Sequence, residues 1–236
     1  MDKVIFWDFD GTLAFRNNMW SGAMHETLIE YDPECTHSKD DCSQFLQEGF
    51  PWQNPAREHT HITDPEEWWA EIIPIFAAGY RQLGYGNEAA EMMGRAARDR
   101  YLDLSKWELF PDTIPALRCL SDNHWRHIIV SNHVPELDNI VTHLGLQPYF
   151  SAVVNSAICG FEKPHQKIFQ IALERAGHPS QAWMIGDNIE ADICGAEDCG
   201  IPGILVRKRN PRARRQYSDL HGVLKHILLS AKLNED

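Results

Sequence analysis

The run Lys3-Val4-Ile5-Phe6-Trp7-Asp8-Phe9-Asp10-Gly11-Thr12 constrains this chain more than any other stretch. Its apolar start reads as a strand buried on both faces. It then turns abruptly into two aspartates, a glycine and a threonine. Residues two apart on a strand point to the same side, so Asp8 and Asp10 stand together. Two like charges side by side repel unless a cation joins them, which points to a metal site or to acid/base chemistry. Gly11 permits a turn that other residues resist.

The remainder of the chain is long enough for one or two domains built around that strand. At 236 residues it can bury a sizeable core, and 43% hydrophobic with 24% charged residues is ordinary for a globular protein. The net charge of -12 argues against nucleic acid as a partner, because phosphate backbones attract basic surfaces. A small anionic substrate needs only local positive charge. Six irregularly spaced cysteines do not suggest a disulfide scaffold. No leader pattern or membrane-length apolar run is present, so the expected setting is cytoplasmic and away from membranes.

Trp20, Ala23, Met24, Thr27, Leu28 and Tyr31 follow helical spacing. From Asp32 to His61 no period holds, and proline and glycine predict mostly loop with one short helix. Asp64-Pro65-Glu66-Glu67 is a helix start, and Trp69 through Leu83 mark a helix face with a kink expected at Pro74. A further helix opens at Asn87. From Phe110 strands alternate with helices. Helices are expected at 112–122, 137–144, 164–176 and 189–196, with a closing helix at 220–233. Strands are expected at 126–130, 152–154, 182–185 and 203–206. This alternation predicts an α/β fold with a Rossmann-like parallel sheet covered by helices on both faces. Ligands in such sheets sit beyond the carboxyl ends of the strands. Asp8, Asp10, Ser131, Asn132, Gly186 and Asp187 all lie there. The helical stretch that leaves after the first strand would sit over them as a lid.

If the strand ends converge, Asp8, Asp10 and Asp187 bring three carboxylates together, an oxygen-rich set that suits magnesium. Ser131, Asn132 and a helix start just after them offer donors to an anion. Lys163, ahead of a helix begun by Pro164, can balance the acids and hold a phosphoryl oxygen. An aspartate beside a metal is a credible nucleophile, and a second carboxylate two residues on can move protons.

These residues make the chain resemble the haloacid dehalogenase-like hydrolase superfamily, in its phosphatase branch. Four motifs match in order: Asp8-Phe9-Asp10-Gly11-Thr12, Ser131 after Ile128-Ile129-Val130, Lys163-Pro164, and Gly186-Asp187 with Asp192 five residues later. The resemblance covers about residues 1–15 and 107–230. It implies a Rossmann-like catalytic core of residues 1–15 and 107–236, with an inserted α-helical cap at 16–106. It implies Asp8 as nucleophile and magnesium ligand. Asp10 would be general acid/base and bind metal through its backbone carbonyl, and Asp187 would be the third metal ligand. Ser131 and Lys163 would hold the phosphoryl group, with Asn132 nearby. Asp192 would steady Lys163 or a metal-bound water. Dehalogenating members lack the acid at the position of Asp10, so its presence favours phosphoryl transfer.

The implied activity is magnesium-dependent hydrolysis of a small phosphorylated metabolite through an aspartyl phosphate. Rival readings are a phosphomutase, a non-enzymatic phospho-acceptor like a receiver domain, and a dehalogenase. In the irregular segment, Trp52 is a candidate to stack on a substrate ring and Arg57 to clamp a distal anion. Cys35, His37, Cys42, His59 and His61 fit no familiar zinc spacing. The basic run Arg207-Lys208-Arg209, with Arg212, Arg214 and Arg215, is expected to be a solvated loop offsetting an acidic surface.

Overall fold

The computed structural model describes residues 2–233, with side chains described to residue 230. In chain order its elements are β1 (Lys3–Trp7), β2 (Ala14–Arg16), α1 (Met19–Tyr31), α2 (Lys39–Ser43), α3 (Pro65–Gln82), α4 (Asn87–Tyr101), β3 (Trp107–Leu109) and α5 (Thr113–Asp122). Then come β4 (Trp125–Ser131), α6 (Leu137–His143), β5 (Phe150–Asn155), α7 (Ser156–Cys159), α8 (Gln166–Ala176) and β6 (Gln181–Gly186). A π-helical turn (Ile189–Cys194), α9 (Gly195–Glu197), β7 (Gly203–Val206), β8 (Gln216–Tyr217) and α10 (Leu220–Leu233) follow.

Six strands form one parallel sheet in the order β5-β4-β1-β6-β7-β8. β1 is interior, paired with β4 on one side and β6 on the other. Trp7 sits opposite Ile129 and Ile185. That position explains its unbroken apolar run, since both faces are covered. Alternation divides its side chains. Val4 and Phe6 pack with Ile168, Phe169 and Ala172 of α8. Ile5, Trp7 and Phe9 pack on the other face with Leu117 and Leu120 of α5 and Val223 and Ile227 of α10. This second cluster runs on without a break into Trp68, Trp69, Phe76, Tyr80 and Met93 of the inserted helices.

The chain enters and leaves those helices through a two-stranded antiparallel ribbon, Ala14 opposite Leu109 and Arg16 opposite Trp107. Three-residue strands are too short to show a period, so the sequence did not reveal them. α3 starts where its capping signal lies: Asp64 accepts from the backbone N–H groups of Glu66 and Glu67. It runs unbroken through Pro74. The irregular segment holds α2 and two single 3₁₀ turns.

Three expectations about the helices are corrected. α6 begins at Leu137, separated from Ser131 by residues 132–136, so no helix terminus adjoins Ser131. α8 begins at Gln166, capped by His165 rather than opened by Pro164. The helix after Asp187 is a π turn capped by Asn188, and only then a short α-helix. No described helix is long and apolar enough to cross a membrane.

Candidate active site

The sheet delivers its polar residues to one edge. The Asp8 amide donates to the Ile185 carbonyl at 2.9 Å, which extends the ladder one step past β1 and fixes where its side chain emerges. The Asp8 carboxylate, largely buried, receives three donors: Lys163 Nζ at 2.8 Å and Ser131 Oγ at 3.2 Å on Oδ1, and Thr12 Oγ1 at 3.4 Å on Oδ2. Lys163 Nζ also donates to Asp192 Oδ1 at 2.6 Å. Burial alone would lower the Lys163 ammonium, but the Asp192 and Asp8 charges outweigh it and hold the lysine protonated well above the ordinary range.

Two glycines make this convergence possible. A side chain at Gly186 would run into the Asp192 carboxylate. One at Gly11, whose φ is +74°, would run into that of Asp187. The π turn swings Asp192 back beneath the sheet edge, where the Asn188 amide donates to its Oδ2 at 2.9 Å. Asp187 lies on the opposite flank, its Oδ2 2.7 Å from Lys208 Nζ. Burial and the nearby Asp8 charge push the Asp187 carboxyl upward, while Lys208 opposes the rise. Asp192 is pushed up by the same two causes.

Asp8, Asp187 and Asp192 each offer an oxygen within 4.8 Å of the others. Three crowded acids facing two lysines fit a hard cation with oxygen ligands. The Lys208 ammonium already supplies positive charge to one of them. Among the described residues this is the grouping of metal-binding side chains that lies close enough to act. Cys35, His37, Cys42, His59 and His61 form none.

Asn132 does not aim its amide freely into the site. Its Nδ2 donates to the Lys163 carbonyl at 2.9 Å and its Oδ1 accepts from the Lys163 amide at 2.6 Å. It therefore braces the lysine's backbone while lining the cavity. Asp10 stands at the cavity side with Oδ1 buried and without a hydrogen-bond partner. Its Oδ2 is 3.5 Å from Nε2 of His133, a buried ring packed against Phe9 and Trp107. His133 was missed from sequence. Its one signal is its place beside Asn132 at the end of β4.

A cavity of about 440 Å³ opens on these groups. Its far wall comes from the inserted segment: Met19, Trp20, Trp52, Pro55 and Tyr101. Trp52 thus lies where a substrate contact was expected. Arg57 does not: it lines a separate cavity with Glu48, His59, His61 and Glu71, because its turn points away from the sheet edge. Trp20 and Tyr101 read as core positions in the helical pattern, and they also face the site.

The basic run is partly as expected: Lys208, Arg209, Arg212 and Arg214 are exposed, whereas Arg207 and Arg215 are half-buried and engaged. Arg207 makes a bidentate pair with Asp112, lies 3.6 Å over the Phe110 ring and donates to the Thr12 carbonyl at 3.0 Å. Arg212 pairs with Glu190, and Arg215 lies over Trp183.

A family model described as haloacid dehalogenase-like hydrolase matches residues 3–200. The chain belongs to that family. It is 33% identical over 117 residues to a glyceraldehyde 3-phosphate phosphatase of Methanothermobacter thermautotrophicus, a match covering 48% of this chain and 51% of that protein. The chain therefore spans about half the length of that relative. It is 27% identical to the Bos taurus haloacid dehalogenase-like hydrolase domain-containing protein 3, covering 89% of this chain and 83% of that one. Among solved structures it resembles the Bacillus subtilis hydrolase YfnB, with a TM-score of 0.72 at 21% identity over 96% of this chain and 98% of the other. As a member of this family the chain is a hydrolase with an α/β core.

Proposed function

We propose that this chain is a magnesium-dependent phosphatase that hydrolyses a small phosphorylated metabolite through an aspartyl phosphate on Asp8. One observation carries the reading. Asp8 holds a buried lysine and a serine hydroxyl on one oxygen, at 2.8 and 3.2 Å, with the Asp10 carboxyl two residues on and unpartnered at Oδ1. The likeness to a glyceraldehyde 3-phosphate phosphatase supports the same chemistry.

Asp8 and Asp187 side chains and the Asp10 backbone carbonyl would hold magnesium, with Asp192 near enough to order its surroundings. The cation supplies charge neutralisation at the phosphoryl oxygens. Lys163 and Ser131 bind and orient the phosphoryl group, and Asn132 holds Lys163 in place. In the first step an Asp8 oxygen bonds to phosphorus, the ester P–O bond breaks, and Asp10 gives its proton to the leaving oxygen. In the second, Asp10 takes a proton from water, the water oxygen bonds to phosphorus, and the Asp8–phosphorus bond breaks. Residues 16–106 act as a cap that keeps bulk water out until the first step is over, above a core of residues 1–15 and 107–236. An acid at position 10 favours this over dehalogenation.

The test is phosphate release from p-nitrophenyl phosphate with magnesium. Asp8→Asn and chelation should each abolish it. Substantial activity in Asp8→Asn would sink the covalent mechanism.

A further inference from the structure

The cavity's two ends differ in chemistry. At the sheet edge lie Asp8, Asp10, Asp187 and Asp192, with Glu190 at the rim. Among the described residues, the one lysine or arginine lining it is Lys163, which is already committed to Asp8 and Asp192. The nearby cations are committed too: Lys208 to Asp187 and Arg212 to Glu190. Arg57 lines another cavity. The opposite wall is aromatic. Trp20 lies flat on Tyr101, with centroids 3.7 Å apart and planes at 7°. Trp52 stacks beside it at 5.6 Å and 23°, backed by Phe50 at 4.5 Å. Trp20 and Trp52 are only partly buried, so the stack still has surface to offer.

A leaving group with a second carboxylate or phosphate would lie toward the aromatic wall, where no lysine or arginine among the described residues lines the cavity to pair with it. A flat uncharged ring would lie against fixed indoles whose conformational cost has been met by their own stacking. We propose that the substrate is a monophosphate ester whose alcohol part is uncharged and carries a planar ring, the chemistry of a nucleoside monophosphate. This rests on the phosphatase reading and narrows it. Trp52 is the specificity-determining residue, and its position on the segment between α2 and α3 makes the inserted stretch the source of selection.

The test compares kcat/KM of the full magnesium-loaded chain on uridine monophosphate, phosphoserine, phosphoglycolate and p-nitrophenyl phosphate. Uridine monophosphate should exceed the two carboxylate-bearing esters by about tenfold or more. Trp52→Ala should lower kcat/KM on uridine monophosphate by about tenfold through KM, and Trp52→Phe should recover most of it. A preference for phosphoserine or phosphoglycolate overturns the proposal. So does a Trp52→Ala loss that falls equally on all four esters or is not recovered by Trp52→Phe. If no ester is hydrolysed, including p-nitrophenyl phosphate, the phosphatase reading fails on its own. Calorimetric binding to the Asp8→Asn protein then decides the ring preference: tighter uridine monophosphate than phosphoserine supports it, and the reverse order overturns it.

Discussion

His59 Nε2 lies 3.0 Å from Glu162 Oε1, and both side chains are buried. The pair ties the inserted segment to the residue just before Lys163. The backbone repeats the tie, with the His59 amide donating to the Gly160 carbonyl at 2.9 Å. Gly160, at φ +80°, has no room for a side chain because Thr60 backbone lies against it. His59→Leu strands a buried carboxyl, which should cost about 3 kcal/mol in urea unfolding. His59→Gln keeps an N–H near the Nε2 position and should cost less. Equal stabilities for wild type and His59→Leu would show that the contact does not hold the segment.

His133 is expected to orient the Asp10 carboxyl. His133→Leu should lower kcat by about tenfold to a hundredfold with little change in KM, in the range of a lost proton-transfer geometry. His133→Gln, with a donor near the same place, should recover part of it. A change confined to KM would assign His133 to substrate binding instead.

Magnesium should stabilise the folded chain, since binding to the native state alone raises stability by mass action. Melting temperature should therefore rise with magnesium in the wild type and respond far less in Asp187→Asn. Lys208→Ala removes a competitor for Asp187 and should strengthen magnesium binding a few-fold by calorimetry, the modest effect of an exposed charge. Weaker binding in Lys208→Ala would contradict this.

Stability should fall on mild acidification through His127. Trp7 Nε1–H donates to its Nδ1 at 3.0 Å, so the proton sits on Nε2, which faces Ser121 Oγ at 3.1 Å. Burial lowers its pKa to about 4. The unfolded chain, with an ordinary histidine near 6.5, binds more protons between those values, so stability rises with pH there. The contribution is complete above about pH 6.5 and is lost as pH falls toward 4, amounting to about 3 kcal/mol. Urea unfolding across this range should be steeper in pH for wild type than for His127→Gln. Identical slopes would refute it.

The sequence alone determined the parallel α/β core and the residues that converge on it. Burial on both faces writes an unbroken apolar run, as in Val4–Trp7, and polar residues at the ends of such runs have few structural reasons to be there. Asp8, Asp10, Ser131 and Asp187 could be named on that ground, Lys163 from its place at a helix entry, and Asp192 from the family resemblance. Only the tertiary structure decided what each touches. Asn132 braces Lys163 because two strand-end loops meet, a long-range contact with no local signature. His133 reaches Asp10, and Trp20 and Tyr101 serve both core and cavity, since helical periodicity marks a buried face without saying what lies across from it. Arg57 was turned to another cavity by the irregular segment, where no period exists to fix direction. Within the basic run, the pairing of Arg207, Lys208 and Arg212 was not legible because their partners, Asp112, Asp187 and Glu190, are distant in sequence or stand on a turn whose π winding no pattern announces. Periodicity records which side of an element is buried, whereas the meeting of side chains from separate elements depends on the packing of the whole sheet edge.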